Sequence, residues 1–311
     1  MKTANNSKTT KMKTNHFSVL LPILAAAMMA VTSCGKDDEP TQAETTDPFD
    51  VNGASKALFS VAANRQVHIS RGNLQYQAST DSWRFAERQY EVMGEANNAV
   101  SPSNEGWIDC FGWGTSGWES GANAYQPWSI SVDDADYQPG GSWQNGLTGD
   151  YANADWGVYN AISNGGNQAG MWRTLTNVEW AYLLGGGSRA SKWGRATIDD
   201  RYKGLILLPD EWTAPDDISF NPAHNSFNSN AYTMEQWERL EAAGAIFLPA
   251  AGFRQYTFFN YENQYGVYWS VSLYGAEYPD CALGLLFNDN SLYPSDGQGR
   301  SNAFSVRLVQ D

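Results

Sequence analysis

The stretch from residue 106 to 170 constrains this chain most, because rings and glycines follow one another there without helical or strand periodicity. Gly106-Trp107-Ile108-Asp109-Cys110-Phe111-Gly112-Trp113-Gly114 leads into Trp118, Trp128, Trp143 and Trp156, set among Gly, Asn, Asp and Ser. So long an irregular segment fits a compact domain only when it packs through its own side chains. Large rings can hold such a backbone, since each buries ~150–250 Å². Rings on loops can also stack on a sugar or a protein partner, but packing is their commoner use. The composition agrees: 13 Trp, 16 Tyr and 13 Phe stand in 311 residues, and only 17% of residues are charged. That balance excludes a disordered acidic chain and a long coiled coil. A formal charge of −14 argues against a nucleic-acid partner, which needs clustered Lys and Arg.

The first forty residues bear on location. Lys2, Lys8, Lys11 and Lys13 precede an apolar run from Phe17 to Val31 that Pro22 interrupts. The run is shorter than the ~20 residues of a membrane-spanning helix and reads as a signal-peptide core. It ends in Val31-Thr32-Ser33-Cys34, which resembles the lipobox of bacterial lipoproteins. That resemblance implies cleavage after residue 33 and lipidation of Cys34, with the membrane reached through the N-terminal lipid only. Gly35-Lys36-Asp37-Asp38-Glu39 is similar to the surface-export signal of Bacteroidetes-type lipoproteins, implying an outer-membrane anchor exposed on the cell surface. Residues 34–56 read as the lipidated Cys and a flexible tether. Loss of residues 1–33 removes four Lys and no acid, taking the charge from −14 to −18.

The body, 57–311, predicts an α+β domain. Leu58–Val61, Gln66–Ser70, Leu74–Tyr76 and Trp83–Phe85 alternate as strands between turns, and predict one antiparallel meander with His68 as an ordinary strand residue. Thr176-Asn177-Val178-Glu179 and Thr233-Met234-Glu235-Gln236 are capping boxes, predicting helices that stop at Gly185-Gly186-Gly187 and Gly244. A helical turn is expected within 155–162, and Gly204–Pro209 and Ala245–Gly252 read as buried strands. With Cys34 lipidated, Cys110 and Cys281 remain; an exported compartment permits a bridge, but two unpaired thiols are the expectation.

Met171-Trp172-Arg173-Thr174-Leu175-Thr176, the Gly204–Pro209 strand, Phe247-Leu248-Pro249-Ala250-Ala251-Gly252-Phe253-Arg254, Val267-Tyr268-Trp269-Ser270-Val271-Ser272 and Phe304-Ser305-Val306-Arg307-Leu308-Val309 occur in that order. Together they resemble the C-type-lectin-like lipoproteins of the major-paralogous-domain kind, distant relatives of the formylglycine-generating-enzyme fold. The likeness spans about 57–311 and implies antiparallel sheets, two main helices and long irregular loops. Residues 273–301 resemble the variable region of diversity-generating-retroelement target proteins, where adenine-directed mutagenesis rewrites a ligand-binding surface. Tyr268, Trp269, Phe287, Pro294, Arg300, Phe304 and Val306 then serve as framework. The candidate ligand-binding residues are Leu273, Tyr274, Leu283, Gly284, Leu286, Asp289, Ser291, Tyr293, Asp296, Gly297, Gln298, Gly299 and Ser301. Most are reachable from an Asn codon by changing adenines, whereas Gln298 is not. Their mixture of Tyr, Ser, Gly and Asp is that of antibody loops, and the partner expected is an extracellular protein or glycan.

Catalytic signatures are missing. No G-x-S-x-G elbow, P-loop or dinucleotide fingerprint occurs, and no C-x-x-C or zinc spacing. A formylglycine-generating-type oxidase needs late reactive cysteines, and only Cys281 lies there. Tyr278-Pro279-Asp280 and Phe287-Asn288-Asp289 match a calcium–sugar loop only loosely, and Asp133, Asp134 and Asp136 read as a solvated acidic turn. No cofactor, metal or catalytic residue is expected, and binding is the leading reading. A carbohydrate-active or formylglycine-generating-type enzyme and a structural component of a surface assembly are the alternatives.

Overall fold

A computed structural model describes residues 47–119, 125–222 and 225–311. Cys34 with its lipobox-like run, the leader before it, the tether up to residue 46, and His224 lie outside the described residues. The architecture is α+β, with mostly antiparallel sheets and few helices. Among the described residues no helix is long and apolar enough to cross a membrane.

Strands β1 (Phe59–Ala62) and β2 (Arg65–Ile69) form a hairpin whose Phe59, Val61, Val67 and Ile69 alternate into the core. Strands β3 (Leu74–Gln77), β4 (Ser82–Phe85) and β5 (Trp107–Ile108) form a different sheet. The expected single meander is therefore two sheets. The C-terminal segment separates them: Ser70 N donates to the Leu308 carbonyl and Leu74 N to that of Val306, both at 2.9 Å. Gly72 makes the turn possible, because a Cβ there would stand 2.5 Å from the Ala86 carbonyl oxygen. Strand β6 (Arg173–Thr174) completes the first sheet by pairing with β16 (Leu308–Gln310), which also pairs with β2.

Both capping boxes form. Thr176 Oγ1 accepts the Glu179 amide at 3.1 Å while Glu179 Oε2 accepts that of Thr176 at 2.8 Å. A short α1 (Trp156–Tyr159) precedes α2 (Asn177–Gly185) and α3 (Met234–Ala242). Helix α2 buries Trp180, Leu183 and Leu184 with β1 and β2, and α3 sets Trp237 against Phe247. A further sheet runs β10-β8-β7-β9, from β7 (Trp193–Ile198), β8 (Tyr202–Leu207), β9 (Ala231–Tyr232) and β10 (Ile246–Pro249). Sequence reasoning anticipated β8 and β10 but missed β7, whose Gly194 and Arg195 interrupt any apolar run. All six β7 residues are nevertheless buried, and Arg195 Nε donates to the Asn288 carbonyl at 2.7 Å.

The irregular segment packs through its rings. Trp113 and Trp156 are almost wholly buried, with Trp113 Nε1 donating to the Ser270 carbonyl at 2.9 Å. Trp269 Nε1 returns a bond of 2.7 Å to the Phe111 carbonyl. These rings press the segment onto the last large sheet, β13 (Tyr265–Leu273), β14 (Cys281–Asn288) and β15 (Leu292–Gly299), whose edge is flanked by the hairpin β11 (Phe253–Gln255) and β12 (Phe258–Asn260). Cys110 and Cys281 are both free thiols.

Candidate functional site

The site is built on the β13-β14-β15 sheet, and the pleat decides which residues can reach a ligand. Val267 and Trp269 of β13 face one core region with Ala282, while Tyr268, Leu285 and Phe287 face another. Neighbouring residues thus belong to opposite faces. Of the expected framework, Tyr268, Trp269, Phe287, Arg300, Phe304 and Val306 are buried, and Pro294 is half-buried. Tyr268 donates to the Pro249 carbonyl at 2.7 Å, and burial holds its hydroxyl far above the ordinary tyrosine range. Arg300 lies 4.6 Å from the Trp113 ring centroid and donates to the Trp143 carbonyl at 2.9 Å.

The thirteen candidate residues do not form one surface. Leu286 and Gln298 line a groove of about 340 Å³ on the Val267 face. Tyr293, 52% exposed, pairs with Leu286, and Asp296 accepts from the Gln298 amide beside it. These four residues form the core of the site. Leu273 pairs with Ala282 and packs partly into the core. Leu283 and Gly297 pair on the opposite face, where the Tyr274 ring covers Gly297 and meets Tyr278 edge-on at 4.8 Å. Gly299 and Ser301 sit by the acidic turn, with Asp134 accepting the Ser301 amide at 2.6 Å. Asp289 and Ser291 occupy the β14–β15 turn, where Asp289 accepts the Phe227 amide at 2.6 Å. Gly284, expected among the ligand-binding residues, is instead buried, and a Cβ there would come within 2.7 Å of the Tyr268 carbonyl oxygen. Packing fixes that position, which cannot face a ligand.

Sequence reasoning missed the other wall of the groove, the β11–β12 hairpin. Phe253, Gln255, Tyr261 and Tyr265 line it together with Phe304. Phe253 stacks on Tyr261 at 5.1 Å and 25°, and Tyr261 meets Tyr265 edge-on at 5.5 Å. Phe258 pairs with Gln255 and is 69% exposed; cross-strand partners share a face, so its ring extends the same wall. The available signal was the density of rings in Tyr256-Thr257-Phe258-Phe259-Asn260-Tyr261, which follows no strand alternation.

The hairpin is held from behind. Buried Arg254 faces away from the groove and donates to the Tyr256 carbonyl and, at 3.2 Å, to that of Ser129. Phe259 N donates to Asn98 Oδ1 at 2.6 Å. The loop bearing Asn98 is tied to Asp109, which accepts from Met93 N at 2.9 Å and Asn97 Nδ2 at 2.8 Å. Burial pushes the Asp109 carboxyl up to about 6. Tyr256, Tyr261 and Asn263 have φ of 56°, 66° and 58°, a region costly for side-chain-bearing residues and kept where surroundings impose it.

Among the described residues the side chains lining the groove are uncharged and offer rings, amides and hydroxyls for contact, with the Asp296 carboxylate beside them on Gln298. Among the described residues no three His, Cys, Asp or Glu side chains converge as metal ligands. Asp133 and Asp136 are engaged locally, by the Ala135 amide at 3.0 Å and the Ser131 hydroxyl at 2.5 Å. No family model, curated protein or solved structure matches this chain.

Proposed function

We propose that this chain is a cell-surface lipoprotein, anchored through Cys34, whose C-type-lectin-like domain binds an extracellular protein or glycan. The observation that carries the reading is the groove: Leu286, Tyr293, Asp296 and Gln298 project from one sheet face beside exposed rings, over a buried framework. Such a rigid scaffold with changeable outward side chains suits a binding surface. It also suits a retroelement-diversified segment, since substitutions at Leu286, Tyr293 and Gln298 would alter the groove and spare the framework. Asp296 is the single carboxylate among these four residues, which favours binding over glycoside hydrolysis, a reaction that calls for paired carboxylates at the bond to be cut.

The test is capture by the full-length protein on an array of extracellular glycans and surface proteins. A Leu286→Ala, Tyr293→Ala and Gln298→Ala variant should lose the captured ligand while keeping its melting temperature within a few degrees. Retained capture would remove the groove as the site. Loss of folding would make the segment part of the core and defeat the reading.

A further inference from the structure

Two recesses meet at the end of the sheet. The ring-walled groove and a second hollow of about 410 Å³ at the β14–β15 turn share one lining residue, Tyr265. The hollow is lined by five carboxamides, those of Asn228, Asn263, Gln264, Asn288 and Asn290. Among the described residues its charged side chains are Lys203 and Asp289, one of each sign. The Nδ2 groups of Asn228, Asn263 and Asn290 bond to no other described residue.

We propose that the joined recesses bind a neutral oligosaccharide, its first sugar stacked on the β11–β12 wall and the next held by the amides at the β14–β15 turn. This rests on the binding function proposed above and names its ligand class. Pyranose rings present apolar C–H faces that suit aromatic surfaces; Phe253 and Tyr261 supply stacked rings, and Phe258 is exposed on the same hairpin opposite Gln255. Sugar hydroxyls both donate and accept, as carboxamides do. A charged ligand would need a counter-charge: beside the groove stands only the Asp296 carboxylate, already bonded by Gln298, and Lys203 and Asp289 in the hollow offset. An extended peptide would gain most by pairing with the open edge of β15, whereas the two recesses present side chains. Preset tyrosine backbones and the Arg254 clamp keep the rings in place before the ligand arrives, which lowers the ordering cost of binding. Two recesses joined at one residue fit a chain of sugars better than a single one.

Isothermal titration of the full-length protein with neutral hexasaccharides of glucose, mannose and galactose, their sulfated forms and extended dodecapeptides tests this. At least one neutral hexasaccharide should bind, more tightly than its disaccharide, and binding should survive EDTA. Phe258→Ala should weaken it by roughly tenfold, the usual scale for losing an aromatic contact, and Asn290→Ala should weaken it severalfold. Both residues are exposed, so neither change should alter the melting temperature. Binding of only peptides or only sulfated sugars, or no neutral sugar at all, would overturn the proposal. So would wild-type affinity in both variants. If Tyr293→Asp then still abolished capture of another ligand, the binding function would stand and the oligosaccharide reading alone would fall.

Discussion

Gly284→Ala tests the burial that removes this position from the candidate site. Sequence reasoning grouped Gly284 with Leu286 and Tyr293, whereas the structure buries it opposite Trp269. An added Cβ would lie 2.7 Å from the Tyr268 carbonyl oxygen, an atom of rigid backbone. Overpacking of this kind costs about 1–3 kcal/mol. Alanine also restricts the unfolded chain, returning about 0.4–1 kcal/mol when no strain opposes it. The net expectation is a loss of about 1–2 kcal/mol, or a melting temperature lower by roughly 2–8 °C for a domain of this size. Tyr293→Ala, at a position 52% exposed, should stay within about 0.5 kcal/mol of wild type. Thermal unfolding followed by circular dichroism reads both. A Gly284→Ala protein as stable as wild type would refute the burial of this position.

The buried carboxylates make stability depend on pH. Burial raises both Asp109 and Asp155 to about 6, so near pH 5 each keeps a proton in the folded state that the unfolded chain has released. Their contribution is full below about pH 4, falls as pH rises through 6 and is flat above, by on the order of 3 kcal/mol each. The stability gap between wild type and Asp155→Asn, from urea unfolding, should therefore shrink between pH 4 and pH 7; a constant gap would refute the raised carboxyl. For the thiols, Cys110 is buried and its pKa is raised by burial and by Asp109, while Cys281 is partly exposed. Peptide mapping after alkylation of the native protein should find Cys281 modified and Cys110 intact, and rapid labelling of Cys110 would contradict the packing around it.

Signals local to a few residues were legible. The two capping boxes fix their helices because each bonds within four residues, and β8 and β10 stood out as apolar runs between turns. The meander and β7 were not legible, for a shared reason. Strand β2 takes its second neighbour from β16, more than 200 residues later, and Gly194-Arg195 in β7 is buried only because the chain around Asn221 and Asn288 covers it. The site divides the same way. Segment 273–301 does supply Leu286, Tyr293, Asp296 and Gln298, but register irregularities in β13 after Trp269 and opposite Leu286 break the simple parity that would have separated outward from inward positions. The facing wall comes from residues 253–261, brought opposite the segment by tertiary packing that no local pattern announces.

If ligand is held on the Leu286–Tyr293 face, a charge inserted there must weaken binding where one inserted elsewhere does not. Tyr293 is 52% exposed on that face and Val178 is 68% exposed on α2, outside the groove. With the ligand captured by the wild-type protein, Kd is measured for Tyr293→Asp and Val178→Asp at matched melting temperature. Tyr293→Asp should lose at least roughly tenfold in affinity, about 1.4 kcal/mol, and Val178→Asp should not change. Equal affinities for the two variants, or a loss confined to Val178→Asp, would contradict it.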